Sequence, residues 1–380
     1  MPKKLKKWIL AELEDFMYEE KDLVRVAKRE NNKRRNYVVV NPLQGKHMPV
    51  SPGEALKLFD CLADKIALED ADKVLFIGFA ETATAIGMEI AIRYNAKYIQ
   101  TTREAISDVD FLFFTESHSH ATEQKLVKED MDALIAEVEH IIFVEDEVTT
   151  GNTILNIVDI IDDLYDKQIK FSVASLINGM DEESLAGYGE RNIDLYYIVK
   201  ILQESFSDMA RSYQGAGAYI EPDYNNDCEY NEILLQGAVN SRRCVSAFDY
   251  CGACERLYGQ LAEQIDIKET REILIIGTEE CMYPAIYVGK RFEESGKKVK
   301  THSTTRSPIV AGGEEGYPLR CRYELRSLYD SKRTTYIYDI APYDLVVIIT
   351  DSTSKEREGV KTLMNALKRK NEKIILVRWC

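Results

Sequence analysis

The segment HIIFVEDEVTTGNTILNIV, residues 140–158, decides how the rest of the chain is read. Its apolar run from Ile141 to Val144 predicts a strand, and from Thr153 onward apolar residues recur at helical spacing. Between them stand two adjacent carboxylates, Glu145 and Asp146, then threonine hydroxyls and Gly151. The C-terminal end of a strand is the usual ligand edge of an open parallel sheet. A helix N-terminus offers unpaired backbone N–H groups, and hydroxyls beside them complete a phosphate cradle that needs no positive side chain. Thr149, Thr150, Gly151, Asn152 and Thr153 are the expected cradle. Glu145 and Asp146 would repel phosphate, so they are expected to face hydroxyls or a metal-bound sugar. Strand, acidic turn and helix together describe a site for a sugar 5-phosphate.

Outward from this segment, short β-branched runs alternate with helical patterns, the mark of an α/β fold with a largely parallel sheet. Strands are expected at Tyr37–Val40, Val74–Ile77, Ala96–Thr101, Phe111–Phe114, Ile141–Val144 and Ile169–Leu176. Helices are expected at Gly53–Ala67, Thr84–Tyr94, Asp130–Val138 and Thr153–Tyr165. The length of 380 residues exceeds the roughly 250–300 at which single cores stop growing, so two domains are expected. After Glu204 the pattern weakens, and the acidic, Asn-rich stretch EPDYNNDCEYNE reads as a linker or insertion. The resulting division is 1–204, a connecting segment with a helix at 205–262, and 263–380.

The two halves also repeat each other. VLFIGFAETATAIGMEIAIRY (74–94) has the shape of ILIIGTEECMYPAIYVGKRF (273–292), and each leads to a strand ending in Thr-Thr-Arg, at Arg103 and Arg306. HIIFVEDEVTTGNTILNIV matches DLVVIITDSTSKEREGVKTL, and from Asp146 to Ile169 and from Asp351 to Ile374 the spacing is identical. Two Rossmann-like parallel-sheet domains of common origin are expected. Asp351 stands alone before Ser352, with Glu356 and Glu358 in the turn, so the second unit reads as a degenerate sister.

Lys and Arg number 49 against 64 Asp and Glu, a formal charge of −15. Such acidity argues against a nucleic-acid or anionic-membrane partner. No run of 18 or more apolar residues is present, so no membrane span is expected. The N-terminal MPKKLKKWILAELEDF reads as an amphipathic helix rather than a signal peptide, which favours a cytoplasmic protein. Eight cysteines are too sparse for a disulfide scaffold. Cys228, Cys244, Cys251 and Cys254 fall in one segment with a C-x2-C spacing that admits zinc, although Cys254 also fits the apolar face of a helix at 253–265.

Further candidates lie around the strand ends. Gly78-Phe79-Ala80-Glu81-Thr82 joins a strand to a helix, and its backbone amides can hold a second anionic group, with Glu81 read equally as a helix N-terminal charge. Arg103 ends the next strand as an anion ligand. His118 and His120, in the polar run TESHSHATEQ, suit a closing loop that excludes water. Lys46 and His47 either reach the same face or are loop charges. Arg306 and Ser307 suggest a phosphate-like ligand or an interdomain salt bridge.

The run from Ile141 to Thr153 resembles the phosphoribosyl-pyrophosphate (PRPP) motif of type I phosphoribosyltransferases. With NPLQGKHMPVSP, GFAETATAIG and FTESHSHATEQ, the chain is similar to the orotate phosphoribosyltransferase-like family of tellurium-resistance and stress operons. GTEECMYPA, STTRSPI and YDSKRTTYIYD resemble its C-terminal companion, the TRSP domain. The resemblance implies a PRPP-dependent transferase using Mg²⁺, with a nucleobase-like acceptor and pyrophosphate as product, in a nucleoside-like stress metabolite pathway. It further implies that Glu145 and Asp146 hold the ribose hydroxyls, that 149–153 grip the 5-phosphate, and that 78–82 bind pyrophosphate around a cis peptide. Similar enzymes are often homodimers, and operon-encoded proteins are expected partners. Two departures keep a PRPP-sensing or scaffold role open: Glu81 replaces a Lys of some members, and Thr149 replaces a catalytic Asp of others.

Overall fold

The computed structural model describes residues 18–30, 35–68, 70–114, 124–224 and 229–380. The expected N-terminal amphipathic helix, His118, His120 and Cys228 lie outside them. In chain order the first half comprises α1 (Glu20–Leu23), β1 (Arg25–Lys28), β2 (Tyr37–Val40), α2 (Pro52–Ala63), β3 (Val74–Gly78), α3 (Thr84–Tyr94) and β4 (Lys97–Gln100). A hairpin of β5 (Phe111–Phe113) and β6 (Lys125–Val127) follows, then α4 (Lys128–Leu134), β7 (His140–Val148), α5 (Asn152–Leu164), β8 (Lys170–Asn178), α6 (Glu182–Glu190) and β9 (Asp194–Lys200). Next come α7 (Phe206–Ser212), β10 (Ala218–Ile220), β11 (Asn231–Leu235), β12 (Val245–Ser246) and α8 (Ala247–Gln264). The remainder is β13 (Glu272–Gly277), α9 (Tyr283–Glu294), β14 (Lys298–Ser303), β15 (Cys321–Arg326), β16 (Thr334–Tyr338), β17 (Leu345–Thr350), α10 (Glu358–Lys368) and β18 (Ile374–Trp379).

Two parallel sheets organise these elements. The first runs β4-β3-β7-β8-β9, all parallel, with β12 added antiparallel at the β4 edge. The second runs β14-β13-β17-β18-β11, entirely parallel. Four strands of each therefore occupy the same places in the same chain order, as the sequence repeat predicts. Register sharpens the match: Gly78 lies opposite Gln100 and Val144, and Gly277 opposite Ser303 and Ile349. Counting on from those pairs superposes Glu81 on Glu280, Arg103 on Arg306, and Asp146 on Asp351. Both glycines are required by packing. A Cβ on Gly78 would collide with the Tyr98 hydroxyl, and one on Gly277 would crowd Met282 and the Cys281 carbonyl.

The strands form where apolar runs meet two covered faces. In β3 every residue is buried, and so is every residue of β17. Helix α3 begins and ends where its spacing predicts, and Asn95 in the left-handed region closes it. The composition after Glu204 predicts a linker, yet β10 pairs with β15 and β11 forms the edge of the second sheet beside β18. These strands are short, three and five residues, and their partners are distant in sequence, so periodicity carries little of their signal. No helix among the described residues is long and apolar enough to cross a membrane.

Helices α2, α3, α8 and α9 contribute to one continuous core between the sheets. Within it Glu89 on α3 accepts a hydrogen bond from the Tyr283 hydroxyl on α9 at 2.6 Å. Burial, helped by the nearby Asp60 charge, raises its carboxyl from 4.5 to about 7. The folded chain thus holds this proton more tightly than the unfolded one. The resulting penalty is absent below about pH 4.5, grows as pH rises toward 7, and is constant above. Glu89→Gln keeps an acceptor for Tyr283, so urea denaturation should show a gain of about 2 kcal/mol at pH 8 and almost none at pH 4.5. Equal effects at both pH values would contradict this account.

Candidate active site

The ligand edge of the first sheet is formed where β3, β4 and β7 end. β7 runs on past Val144 to Val148, with Glu145 opposite Ser175 and Glu147 opposite Ile177 of β8, whereas the sequence pattern ends the strand at Val144. Glu147 is neutralised by a bidentate contact from Arg35 at 2.6 and 2.7 Å. Glu145 and Asp146 have no ion-pair partner among the described residues, although the Thr82 hydroxyl donates to Asp146 at 2.8 Å. Burial, with Asp146 beside it, pushes the Glu145 carboxyl well above the usual range, against the pull of Arg103. Burial also raises Asp146, opposed by the Thr82 hydrogen bond. The pair places two adjacent half-buried carboxyls on a rigid strand end, in surroundings that oppose their ionisation.

Gly151 caps α5 with φ +74°, and a Cβ there would strike the Tyr188 ring and hydroxyl as well as Met180. Tyr188 in turn donates to the Gly151 carbonyl at 2.8 Å, which fixes the turn. Thr149 to Thr153 are partly or fully exposed there, with the first-turn amides of α5 beside them.

The loop after β3 closes the other side. The Phe79 amide donates to the Val144 carbonyl at 3.0 Å and the Ala80 amide to the Thr101 hydroxyl at 2.8 Å. Gln124 donates to the Ala80 carbonyl at 2.7 Å and accepts from Thr101 at 2.6 Å. The Ala80–Glu81 peptide is cis. The amides of Glu81 and Thr82 have no acceptor among the described residues. Arg103 lies on the adjacent strand end, and its buried Nε likewise has no partner.

Other expected residues point elsewhere. Lys46 is fully buried and donates to Glu81 at 2.8 Å and to the Glu279 carbonyl at 2.8 Å. Burial would raise the Glu81 carboxyl, but Lys46 and Arg306 outweigh it and hold it at about 2. Glu81 therefore faces the second half of the chain, not the open edge. His47 is buried, and burial with the neighbouring Lys46 charge pushes it down to about 3. Arg306 is an interdomain ion-pair residue that contacts Glu81, Glu104, Glu279 and Glu280. The Ser307 amide donates to Thr305 at 3.2 Å. Cys254 is buried on α8, and no metal-type cluster of His, Cys, Asp and Glu occurs among the described residues. Sequence reasoning missed Arg35, Gln124 and Thr101, whose partners are remote in sequence. It also missed Glu280, which the repeat had already aligned with Glu81.

At the corresponding edge of the second sheet the carboxylate and the loop amide are engaged internally, while Ser352, Lys355, Arg357 and Arg378 line a cavity of about 600 Å³. Arg242 and the Tyr329 hydroxyl both bind Asp351. The Cys281 amide, at the position of Thr82, turns inward to the Thr278 carbonyl at 2.8 Å.

Residues 23–202 match the family model described as phosphoribosyl transferase, and residues 251–367 the model described as the TRSP domain C-terminal to it. The chain pairs a phosphoribosyltransferase domain with a TRSP domain. Strands β11 and β18, which complete the TRSP-side sheet, lie outside the residues matched. Among solved structures, adenine phosphoribosyltransferase from Rhodothermus marinus is 13% identical, covering 48% of this chain and 96% of its own at a TM-score of 0.34. Orotate phosphoribosyltransferase from Aeropyrum pernix is 14% identical, with coverage of 50% and 93% and a TM-score of 0.32. Adenine phosphoribosyltransferase from Trypanosoma brucei, in complex with AMP, pyrophosphate and ribose-5-phosphate, is 17% identical, with coverage of 39% and 65% and a TM-score of 0.29. No curated protein matches the chain. Phosphoribosyl transfer is the general chemistry of the first domain, and the chain is an enzyme of that class.

Lys46 links this domain to the TRSP domain through a buried charge, so its loss leaves Glu81 with Arg306 as its remaining cation. Lys46→Met should cost about 3 kcal/mol at pH 7. Glu81 is depressed on folding, so the stability it brings is present above its ordinary 4.5 and lost as pH falls toward about 2. The cost of the substitution should shrink over that window in urea titrations. A change below about 0.5 kcal/mol at pH 7, the scale of an ordinary surface substitution, would remove Lys46 as the anchor.

Proposed function

We propose that the phosphoribosyltransferase domain moves ribose 5-phosphate from PRPP to a nucleobase-like acceptor, releasing pyrophosphate. The observation that carries this reading is one strand end with two opposite polarities. It bears a half-buried carboxyl pair, Glu145 and Asp146, and a left-handed glycine turn opening a helix, while the loop beside it has two amides without an acceptor among the described residues.

In this reading the turn from Thr149 to Thr153 holds the 5-phosphate through hydroxyls and backbone amides. Glu145 and Asp146 accept from the ribose hydroxyls, a task for ionised carboxylates. The amides of Glu81 and Thr82 and the Arg103 guanidinium meet the pyrophosphate. The bond from C1 to the pyrophosphate oxygen breaks with its electron pair leaving on pyrophosphate. The new bond forms from a ring nitrogen of the acceptor, whose proton passes to solvent or to a leaving oxygen. Catalysis is then mainly positioning and stabilisation of charge on the departing oxygens. The carboxylate pair suits Mg²⁺, being hard oxygen donors without an ion-pair partner among the described residues. When bound with the substrate's own oxygens, Mg²⁺ supplies screening of pyrophosphate charge. The resemblance to stress-operon proteins supports a nucleoside-like metabolite as product and the cytoplasm as its place. His118 and His120 remain proposed members of a covering loop.

Replacing the pair as Glu145→Gln with Asp146→Asn separates binding from folding. Both carboxyls are raised on folding, so their ionised forms cost stability at pH 8, and the amides should raise stability there and not at low pH. The same variant should bind PRPP with MgCl₂ at least 100-fold more weakly by calorimetry. Because both carboxyls are raised, protonation removes the acceptors at a higher pH than for ordinary carboxylates, and affinity of the unaltered chain should fall as pH is lowered. Unchanged affinity in the variant would defeat the assignment. Binding without pyrophosphate release across a panel of bases would make the site a sensor.

A further inference from the structure

The loops that follow the first strand of each sheet reach into each other's domain. Glu280, fully buried on the TRSP side, accepts from the Thr102 hydroxyl at 2.7 Å and from the Arg103 amide at 2.9 Å. Glu81, its counterpart by register, accepts from the Arg306 amide at 3.2 Å and interacts with Thr305. The internal bonds of the two units agree as well. The Thr101 amide donates to Gly78 at 2.9 Å and the Thr304 amide to Gly277 at 3.1 Å. The Ala80 amide donates to Thr101 at 2.8 Å and the Glu279 amide to Thr304 at 3.0 Å. The two domains are therefore related by an approximate twofold exchange in which each glutamate pins the other domain's Thr-Arg strand end.

Resting on the transfer reading above, we propose that Glu280 is a positioning residue of the phosphoribosyltransferase site, supplied by the TRSP domain. The path is short. Glu280 fixes Thr102 and Arg103; Thr101, the residue before them, holds the Ala80 amide; and Ala80 precedes the free amides of Glu81 and Thr82. Arg103 is gripped by its backbone, which leaves its guanidinium to the site. Arg242 at 2.8 Å and Arg306 at 3.5 Å balance the Glu280 charge, so with Thr102 and Arg103 the carboxylate has four partners. The active site is thus framed by both domains, although all its proposed ligand-contacting groups belong to one.

Calorimetric titration of the full chain with PRPP and MgCl₂ tests this, with thermal melts run in parallel. Glu280→Gln should weaken binding about tenfold, because an amide cannot accept from Thr102, Arg103 and Arg242 together. Arg333→Gln is the control. It breaks ion pairs to Glu104 and Glu279 in the same junction without touching Thr102 or Arg103, and should change affinity less than twofold even where it lowers the melting temperature. In an Arg103→Ala background, Glu280→Gln should add less than its full tenfold, because part of its effect passes through the Arg103 side chain and the rest through Thr101 and the Ala80 amide. If Glu280→Gln fails to fold, Thr102→Val cuts the same link from the other side and should give the same loss. Equal affinity in Glu280→Gln and the unaltered chain, equal losses in Glu280→Gln and Arg333→Gln, or additive losses with Arg103→Ala would overturn the proposal alone. No PRPP binding by the unaltered chain would overturn the transfer reading and the proposal with it.

Discussion

A carboxylate removed from water must be met by a cation or by several donors. That demand shapes the junction between the two domains. Glu81, Glu104, Glu279, Glu280 and Asp351 lie there, buried or nearly so, against Lys46, Arg242, Arg306 and Arg333. Each group has partners from both halves of the chain or from the connecting segment, so the domains cannot separate without stranding charge. The net worth of such a cluster against an apolar one is small, but the cost of breaking it is large. Its main effect is to fix geometry. Glu145 and Asp146 stand outside this junction with no ion-pair partner among the described residues, which leaves them for a ligand.

The same constraint explains how one duplicated unit has two outcomes. Both sheets end their first and third strands alike, and both carry a glutamate three residues beyond the glycine. In the second unit Arg242 arrives from the segment between the domains and binds Asp351, with Tyr329 on the other oxygen. A sugar hydroxyl would find the acceptor already taken. The amide that is free at Thr82 is turned inward at Cys281. The second edge has lost its carboxylate acceptor and its loop amide to internal contacts while its frame has stayed the same.

The fold was legible in the sequence where local pattern and burial agree. The apolar runs of β3, β7 and β17 are buried on both faces, and the repeat predicts two related α/β units. Helix α3 was legible to the residue, because its apolar stripe is flanked by a tight loop and a left-handed Asn95. The site was legible as a motif, since strand, acidic pair and glycine turn are contiguous. What pattern could not show was direction. Glu81 reads as a residue of the anion-binding loop, and only the folded chain reveals that its carboxylate faces Lys46 and Arg306, the latter 225 positions away. Arg306 kept two readings open for the same reason. β11 was missed because its identity as a strand comes from β18 rather than from its own five residues.

The formal charge of −15 makes the general field repulsive to an anionic substrate. Attraction must then come from local dipoles, and dipoles differ from charges in one respect that matters here. The field of a peptide group falls off faster with distance than that of an ammonium and depends on its orientation, so a small rotation of the amide weakens it. A cation on a flexible stem can follow its ligand, whereas a backbone amide has to be aimed in advance. An anion site built from the Glu81 and Thr82 amides and the α5 turn therefore needs a stiffer frame than one built from lysines. Glu280 supplies that stiffness from outside the domain, which gives a physical reason for a second sheet whose own Asp351 is already taken.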